Sequence, residues 1–234
     1  MLTNGTPTQN GSAKSLGALR NFARERPAVE RCDLCGAELA AEHQHLFAPA
    51  NRQLACACGA CAILFSGGAD QKFKLVPRRV KQFQNFHQAD ADWDALLIPV
   101  GMAFFFRSSV NGRVMAYYPS PAGATESLLD LDTWVDLERD NPALTEMEPD
   151  VEALLVNRLQ GARDYYLAPI DKCYELVGLI RVHWRGLSGG ERAWTEIGKF
   201  FARLQASAQF IGAEGENPPR DGPWDEPGGG EERA

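Results

Sequence analysis

Apolar positions along the 234-residue chain follow two periods, one helical and one of strands. In SLGALRNFARE, residues 15–25, Leu16, Leu19 and Phe22 fall at helical spacing and predict a short amphipathic helix. The stretch AELAAEHQHLFAPANRQLA predicts two short strands, about 41–47 and 52–57, around an APAN turn. SGGADQ is a loop, and KFKLVPRRVKQF is a basic strand or extended arm. DADWDALL, residues 90–97, is helical, with Asp90 as N-cap.

The strongest strand pair is IPVGMAFFFRSSV and RVMAYYPS, joined by Asn111-Gly112. Asn-Gly between apolar strands signals a hairpin, because both turn residues need positive φ. A two-residue turn sets Val110 opposite Arg113 and Phe106 opposite Tyr117. One face then carries Phe105, Val114, Ala116 and Tyr118 together with Arg107. PSPAGATES follows as a turn-rich loop, and LDLDTWVDLERDNP as a helix that Pro142 stops. MEPDVEALLVNRLQG reads as a second helix, with Val151, Leu154, Leu155 and Leu159 on one side and Gly161 at its end. DYYLAPI is a strand. DKCYELVGLIRVHWRG is a helix capped by Asp171 and Gly186, with Cys173, Leu176, Val177, Ile180 and Trp184 as its stripe. The last helix turns Trp194, Ile197, Phe201 and Leu204 inward.

These elements predict an α+β fold: a small N-terminal zinc-ribbon-like module on a mixed domain with a central β-hairpin and several helices. The expected organisation is a disordered arm over 1–14, the module with its leading helix over 15–81, an α+β body over 82–211 and a disordered acidic tail over 212–234. No repeat is visible. The net charge of −7 is unevenly spread. Residues 14–81 carry eleven Lys/Arg against six Asp/Glu, and the remainder is strongly acidic. That asymmetry suits either solvated faces or a contact surface for an acidic partner; the acidic body would repel nucleic acid. No apolar run reaches the ~18–20 residues of a membrane-spanning helix. No signal-peptide core opens the chain, so a cytoplasmic protein is expected.

That compartment shapes the reading of the cysteines, because clustered thiols there are metal ligands or redox groups before they are disulfides. CDLCG supplies Cys32 and Cys35, and LACACGACAILF supplies Cys56, Cys58 and Cys61. A Cys-x-x-Cys-Gly turn aims two thiolates and nearby N–H groups at one ion. Twenty-two residues separate the two Cys-x-x-Cys pairs, a spacing typical of paired thiolate sites. Cys32, Cys35, Cys58 and Cys61 are the expected ligands. Period two puts Cys56 on the face of Cys58, near the site, and a quartet with Cys56 in place of Cys58 is the alternative. His43 and His45 share a strand face and can each replace a thiolate. Zinc is the expected ion. Iron in a rubredoxin-like site, or an iron–sulfur cluster, draws on the same ligands. With few large apolar residues, the module is expected to depend on its metal for folding.

No catalytic constellation competes with this site. Cys173 and His183 lie ten residues apart on one predicted helix, on different faces. His87 sits in no motif, and Glu126, Asp130 and Asp132 suit capping. Arg107 with Ser120, Thr125, Glu126 and Ser127 of the PSPAGATES loop is the remaining candidate pocket; the plainer expectation is an arginine paired with a carboxylate.

CDLCG, HQHL, LACACGAC, LLIPVGMAFFFRS, YYPSPAGATESLL, EPDVEALLVNR, DKCYELVGLIR and HWRGLSGG, in this order, resemble an uncharacterised bacterial domain-of-unknown-function family, mainly actinobacterial. The resemblance spans about residues 29–208. Genes of that family are often found beside those of nickel–iron hydrogenases and their maturation factors. The resemblance therefore implies a hydrogenase-associated accessory protein whose partner is a hydrogenase subunit or maturation factor. It implies no catalytic residue.

Overall fold

The computed structural model of the chain describes residues 29–67, 72–88, 90–95, 98–127 and 131–211. The N-terminal arm, the helix expected over 15–25 and the acidic tail lie outside the described residues. The chain divides into two units, Met1–Leu75 and Val76–Ala234.

The first unit is built on a hairpin of β1 (Gln44–Ala48) and β2 (Gln53–Ala57), followed by helix α1 (Gly59–Ser66) and the short β3 (Lys74–Leu75). Its sheet has the order β2-β1-β3, antiparallel throughout. Its described core is small: Cys32, Leu46, Ala57, Cys61 and Ala62 form a buried cluster, with Leu34, Leu39, Ala55, Cys58 and Phe73 packed around it, and Phe47 and Ala48 of β1 are buried as well. The basic segment 72–83 is not one strand. Lys74–Leu75 pairs with β1, whereas β4 (Lys81–Phe83) joins the sheet of the second unit. Pro77 between them has no N–H to give a ladder.

The second unit is a seven-stranded sheet in the order β10-β4-β9-β8-β5-β6-β7. Its other strands are β5 (Met102–Ser108), β6 (Arg113–Ser120), β7 (Gly123–Ser127), β8 (Glu152–Asn157), β9 (Asp164–Pro169) and β10 (Gln209–Ile211). All neighbours are antiparallel except β10 and β4. Helix α2 (Asp90–Ala95) precedes β5, and the Asp90 carboxylate accepts from Arg158 and Arg163. Helix α3 (Leu131–Asp140) and a 3-10 turn over Pro142–Glu146 follow β7. Trp134, Leu137 and Leu144 from these two elements, with Met147 just after them, share a core cluster with Ala103, Phe105, Val114, Leu154 and Val156 of the sheet. Helix α4 (Ile170–His183) packs on β6 to β9, and α5 (Glu191–Ser207) packs on α4. Ile170, Cys173, Leu176, Val177 and Ile180 form the buried stripe of α4. On α5 the buried set is Ala193, Ile197, Phe200, Phe201 and Leu204. Trp194 is half-buried rather than inward, and its indole N–H donates to the Ser188 carbonyl. Among the described residues no helix is long and apolar enough to cross a membrane.

Three further expectations fail here, each for a local reason. Residues 147–161 do not form a helix. They contain β8, the strand between β5 and β9, buried at every position. A continuous apolar run has no period of its own, so a strand buried on both faces and a buried helix look alike. Pro149 and Asp150, whose φ is 72, interrupt any helix before the run begins.

The Asn111-Gly112 hairpin closes with a four-residue loop, Ser109–Gly112. Ser108 faces Arg113, and Phe106 faces Met115. The Ser108 hydroxyl accepts from the Asn111 amide N–H at 3.2 Å and its side-chain NH2 at 3.1 Å. A slip of two residues preserves the faces, so Phe105, Arg107, Val114 and Ala116 still share one. PSPAGATES, finally, is no irregular loop. It is the tight β6–β7 hairpin, turning at Pro121-Ala122 with Gly123 at φ +124.

Candidate metal centre

Each half of the cysteine site is shaped by local hydrogen bonds. In CDLCG the Cys32 N–H donates to the Ala37 carbonyl at 2.8 Å, and the Gly36 N–H donates to the Cys32 carbonyl at 2.8 Å. This turn needs Gly36 at φ +75, a conformation open to glycine at little cost. Arg31 spans the outside of the turn, reaching the Gly36 carbonyl at 3.1 Å and Glu38 at 3.0 Å.

The second half is a helix start rather than a second strand turn. Cys58 is the extended residue before α1, and its carbonyl accepts from the Ala62 N–H at 2.9 Å. Cys61 lies on the first helical turn of α1.

The two halves bring the sulfurs of Cys32, Cys35, Cys58 and Cys61 within 4.8 Å of one another. The Cys35 and Cys58 sulfurs are 3.7 Å apart. A tetrahedral ion with metal–sulfur bonds near 2.3 Å requires sulfurs about 3.8 Å apart, so this pair already has the right edge length. Cys32 and Cys61 are buried and Cys35 is exposed, which places the cluster at the rim of the small core. All four are free thiols.

Their acidities diverge. The Cys58 backbone N–H directed at Cys32 is the main force drawing that thiol down to about 6. Burial, together with hydrogen bonding to the Cys35, Cys58 and Cys32 sulfurs, pushes Cys61 up to about 12. Four adjacent thiolates cannot coexist without a compensating cation. Four cysteines so close together can hold a metal ion, and binding would release the protons the cluster retains.

Cys56, His43 and His45 stand apart from this quartet and form a group of their own on the β1–β2 hairpin. The shared face expected for Cys56 and Cys58 is lost because the strand ends at Ala57. Ala55 and Ala57 turn toward the core that holds Cys32 and Cys61, so Cys56 between them projects from the other face of β2. Asp33, which no sequence motif marks as functional, fixes this arrangement. Its N–H donates to the Cys56 carbonyl at 2.9 Å, and its carboxylate accepts from the Cys56 N–H at 2.6 Å. Its place inside CDLCG was the only available hint.

The remaining candidates are occupied elsewhere. Arg107 donates to Glu138 at 2.6 Å and to the Thr145 carbonyl at 3.3 Å. The Ser120 hydroxyl bonds the Gly123 carbonyl and the Thr125 hydroxyl, both at 2.9 Å, within its own hairpin. Glu126 accepts from Arg113 and from the Tyr117 hydroxyl. Asp130 lies outside the described residues. The Cys173 thiol is fully buried in α4, and burial raises it well above the ordinary thiol range. The backbone N–H of His87 donates to Asn141 at 2.9 Å.

The sequence profile of the family of unknown function DUF5947 matches residues 31–208. The chain belongs to that family. No curated protein and no solved structure matches the chain. The DUF5947 match begins one residue before Cys32 and takes in all four clustered cysteines, Asp33, His43, His45 and Cys56.

Proposed function

We propose that this protein is a non-enzymatic accessory factor, built around a structural zinc ion on Cys32, Cys35, Cys58 and Cys61, that acts by binding another protein. The supporting observation is the convergence of four thiols within 4.8 Å, with the Cys35–Cys58 edge at 3.7 Å. An all-thiolate tetrahedral set suits zinc, and a closed four-ligand shell is the form of a structural rather than a catalytic site. Beside the site, Ile63, Leu64 and Phe65 of α1 are exposed. Adjacent exposed apolar side chains of this kind favour a contact surface. The resemblance noted above makes a hydrogenase subunit or a hydrogenase maturation factor the proposed partner, with the cytoplasm as the setting.

Metal analysis of the purified chain together with its absorption spectrum tests the centre. The expected result is a colourless protein carrying zinc, with the equivalent held by the four-thiol centre lost in Cys35→Ser. Visible thiolate-to-iron absorption would instead establish a redox centre, rubredoxin-like or iron–sulfur. Affinity capture from a hydrogen-oxidising host tests the partner. Recovery of a hydrogenase component that disappears in an Ile63→Ser/Leu64→Ser variant is expected, and capture with no such component defeats the assignment.

A further inference from the structure

We propose that His43, His45 and Cys56 form a second metal site, separate from the four-thiol centre, that takes a transition-metal cation of borderline to soft character and leaves one coordination position open. The strand register supplies the first argument. His45 on β1 lies directly opposite Cys56 on β2. Both backbone polar groups of Cys56 are engaged by Asp33, on the side away from β1. The pair is therefore of the non-hydrogen-bonded kind, in which facing side chains approach most closely. His43, two residues before His45, projects from the same side, and the two rings lie 4.8 Å apart edge to face. One donor atom from each of the three residues falls within 4.8 Å of the others.

The second argument is a nitrogen without a partner. Nδ1 of His43 lies 3.0 Å from the Ala40 carbonyl, an oxygen that can only accept. That nitrogen therefore carries the proton, and Nε2 presents a lone pair. The His43 side chain is only 8% exposed, and Nε2 is buried with no hydrogen-bond partner. Buried nitrogens are normally satisfied, and a metal ion satisfies this one. A histidine whose other N–H is anchored on a backbone carbonyl is the usual arrangement of a metal-ligating imidazole. The Glu30 carboxylate, 3.4 Å from the same Nδ1, reinforces the tautomer.

Two imidazoles and one thiolate suit Zn(II), Co(II) or Cu(I) and disfavour magnesium or calcium. Three protein ligands leave a fourth position for water or an exchangeable ligand, as in open zinc sites. With a divalent cation the set retains one net positive charge, so the open position favours an anion. Sulfurs and nitrogens on a tetrahedral ion stand about 3.5 Å apart, so small side-chain rotations would close the group around it.

Anaerobic titration of the metal-free full chain with Co(II) tests the proposal. The wild type is expected to take up two equivalents: one with the intense charge-transfer absorption of four thiolates, one with the weaker band of a single thiolate. A His43→Ala/His45→Ala variant should lose one equivalent and keep the four-thiolate band, which itself reports a folded module. Cys56→Ala should abolish the single-thiolate band and leave the other. Added azide should shift the second-site spectrum alone. A wild type saturating at one equivalent, or a histidine variant that still binds two, overturns the second site. An azide-insensitive spectrum overturns the open position. Because each site has its own band, failure of the four-thiol reading would be visible separately.

Discussion

Glu152 shows how much one side chain can determine. It is completely buried at the start of β8, yet its carboxylate is satisfied on two sides. Arg79 donates to it at 2.8 Å and the Glu148 N–H at 3.0 Å. Arg79→Ala removes the countercharge and leaves a buried anion behind, a loss of the order of 3 kcal/mol. Urea unfolding followed by tryptophan fluorescence should register it as a lower midpoint. Arg79→Lys should recover only part, because the fork that also reaches Glu148 at 2.7 Å is lost.

Gly101 is constrained by space rather than by charge. A Cβ added there would sit 3.0 Å from the Arg158 carbonyl oxygen, and that backbone is held by a 2.6 Å hydrogen bond to the Gly101 carbonyl. Neither side can yield cheaply, so Gly101→Ala is expected to cost about 1–3 kcal/mol in the same assay.

At the scale of elements, one carboxylate adds a polar link to the apolar packing of α3 on the sheet. Glu138 accepts from Arg107 of β5 and from the Trp134 indole on its own helix. Asn141, just beyond the helix, donates to the carbonyls of His87 and Leu137 and accepts from the His87 N–H. Glu138→Ala removes the countercharge of the partly buried Arg107 guanidinium, which keeps only its backbone carbonyl partners, and frees the Trp134 indole N–H. A loss of about 1–3 kcal/mol and a shifted near-ultraviolet tryptophan signal are expected.

Much of this element layer was legible in the sequence. The hairpin, the strand at 164–169 and the stripe of α4 could be read from period and turn residues, except that the helix ends at His183 and leaves Trp184, expected in the stripe, half-buried beyond it. The strand at 152–157 could not, because every position of EALLVN is buried and the pattern carries no phase. Nor could helix α1, whose exposed Ile63, Leu64 and Phe65 resemble a buried strand end. The hairpin register escaped as well, since the Ser108 hydroxyl that lengthens the loop acts through a three-dimensional contact.

At the scale of the molecule, the two units draw on different sources of stability. The second has an extensive aromatic and aliphatic core on both faces of its sheet. Among the described residues the first has seven buried apolar side chains, two of them cysteines of the cluster. A domain with so little apolar burial needs a metal or an equivalent staple. Treatment with a strong chelator is therefore expected to abolish amide protection over residues 29–67 while β5, β8 and β9 keep theirs. Hydrogen exchange read by mass spectrometry measures the two separately. Restoring zinc should restore the first unit.

The sequence by itself determined that four cysteines in two close pairs would meet, because a Cys-x-x-Cys turn leaves the thiols little choice of direction. It also determined the faces of the hairpin and of α4, which follow from local periods. Only the tertiary structure decided what becomes of the fifth cysteine. Cys56 joins His43 and His45 because Asp33 holds its backbone from the outer edge and the β1–β2 register sets it opposite His45. Pairing across strands depends on which residues face one another after folding, and linear spacing carries no record of that.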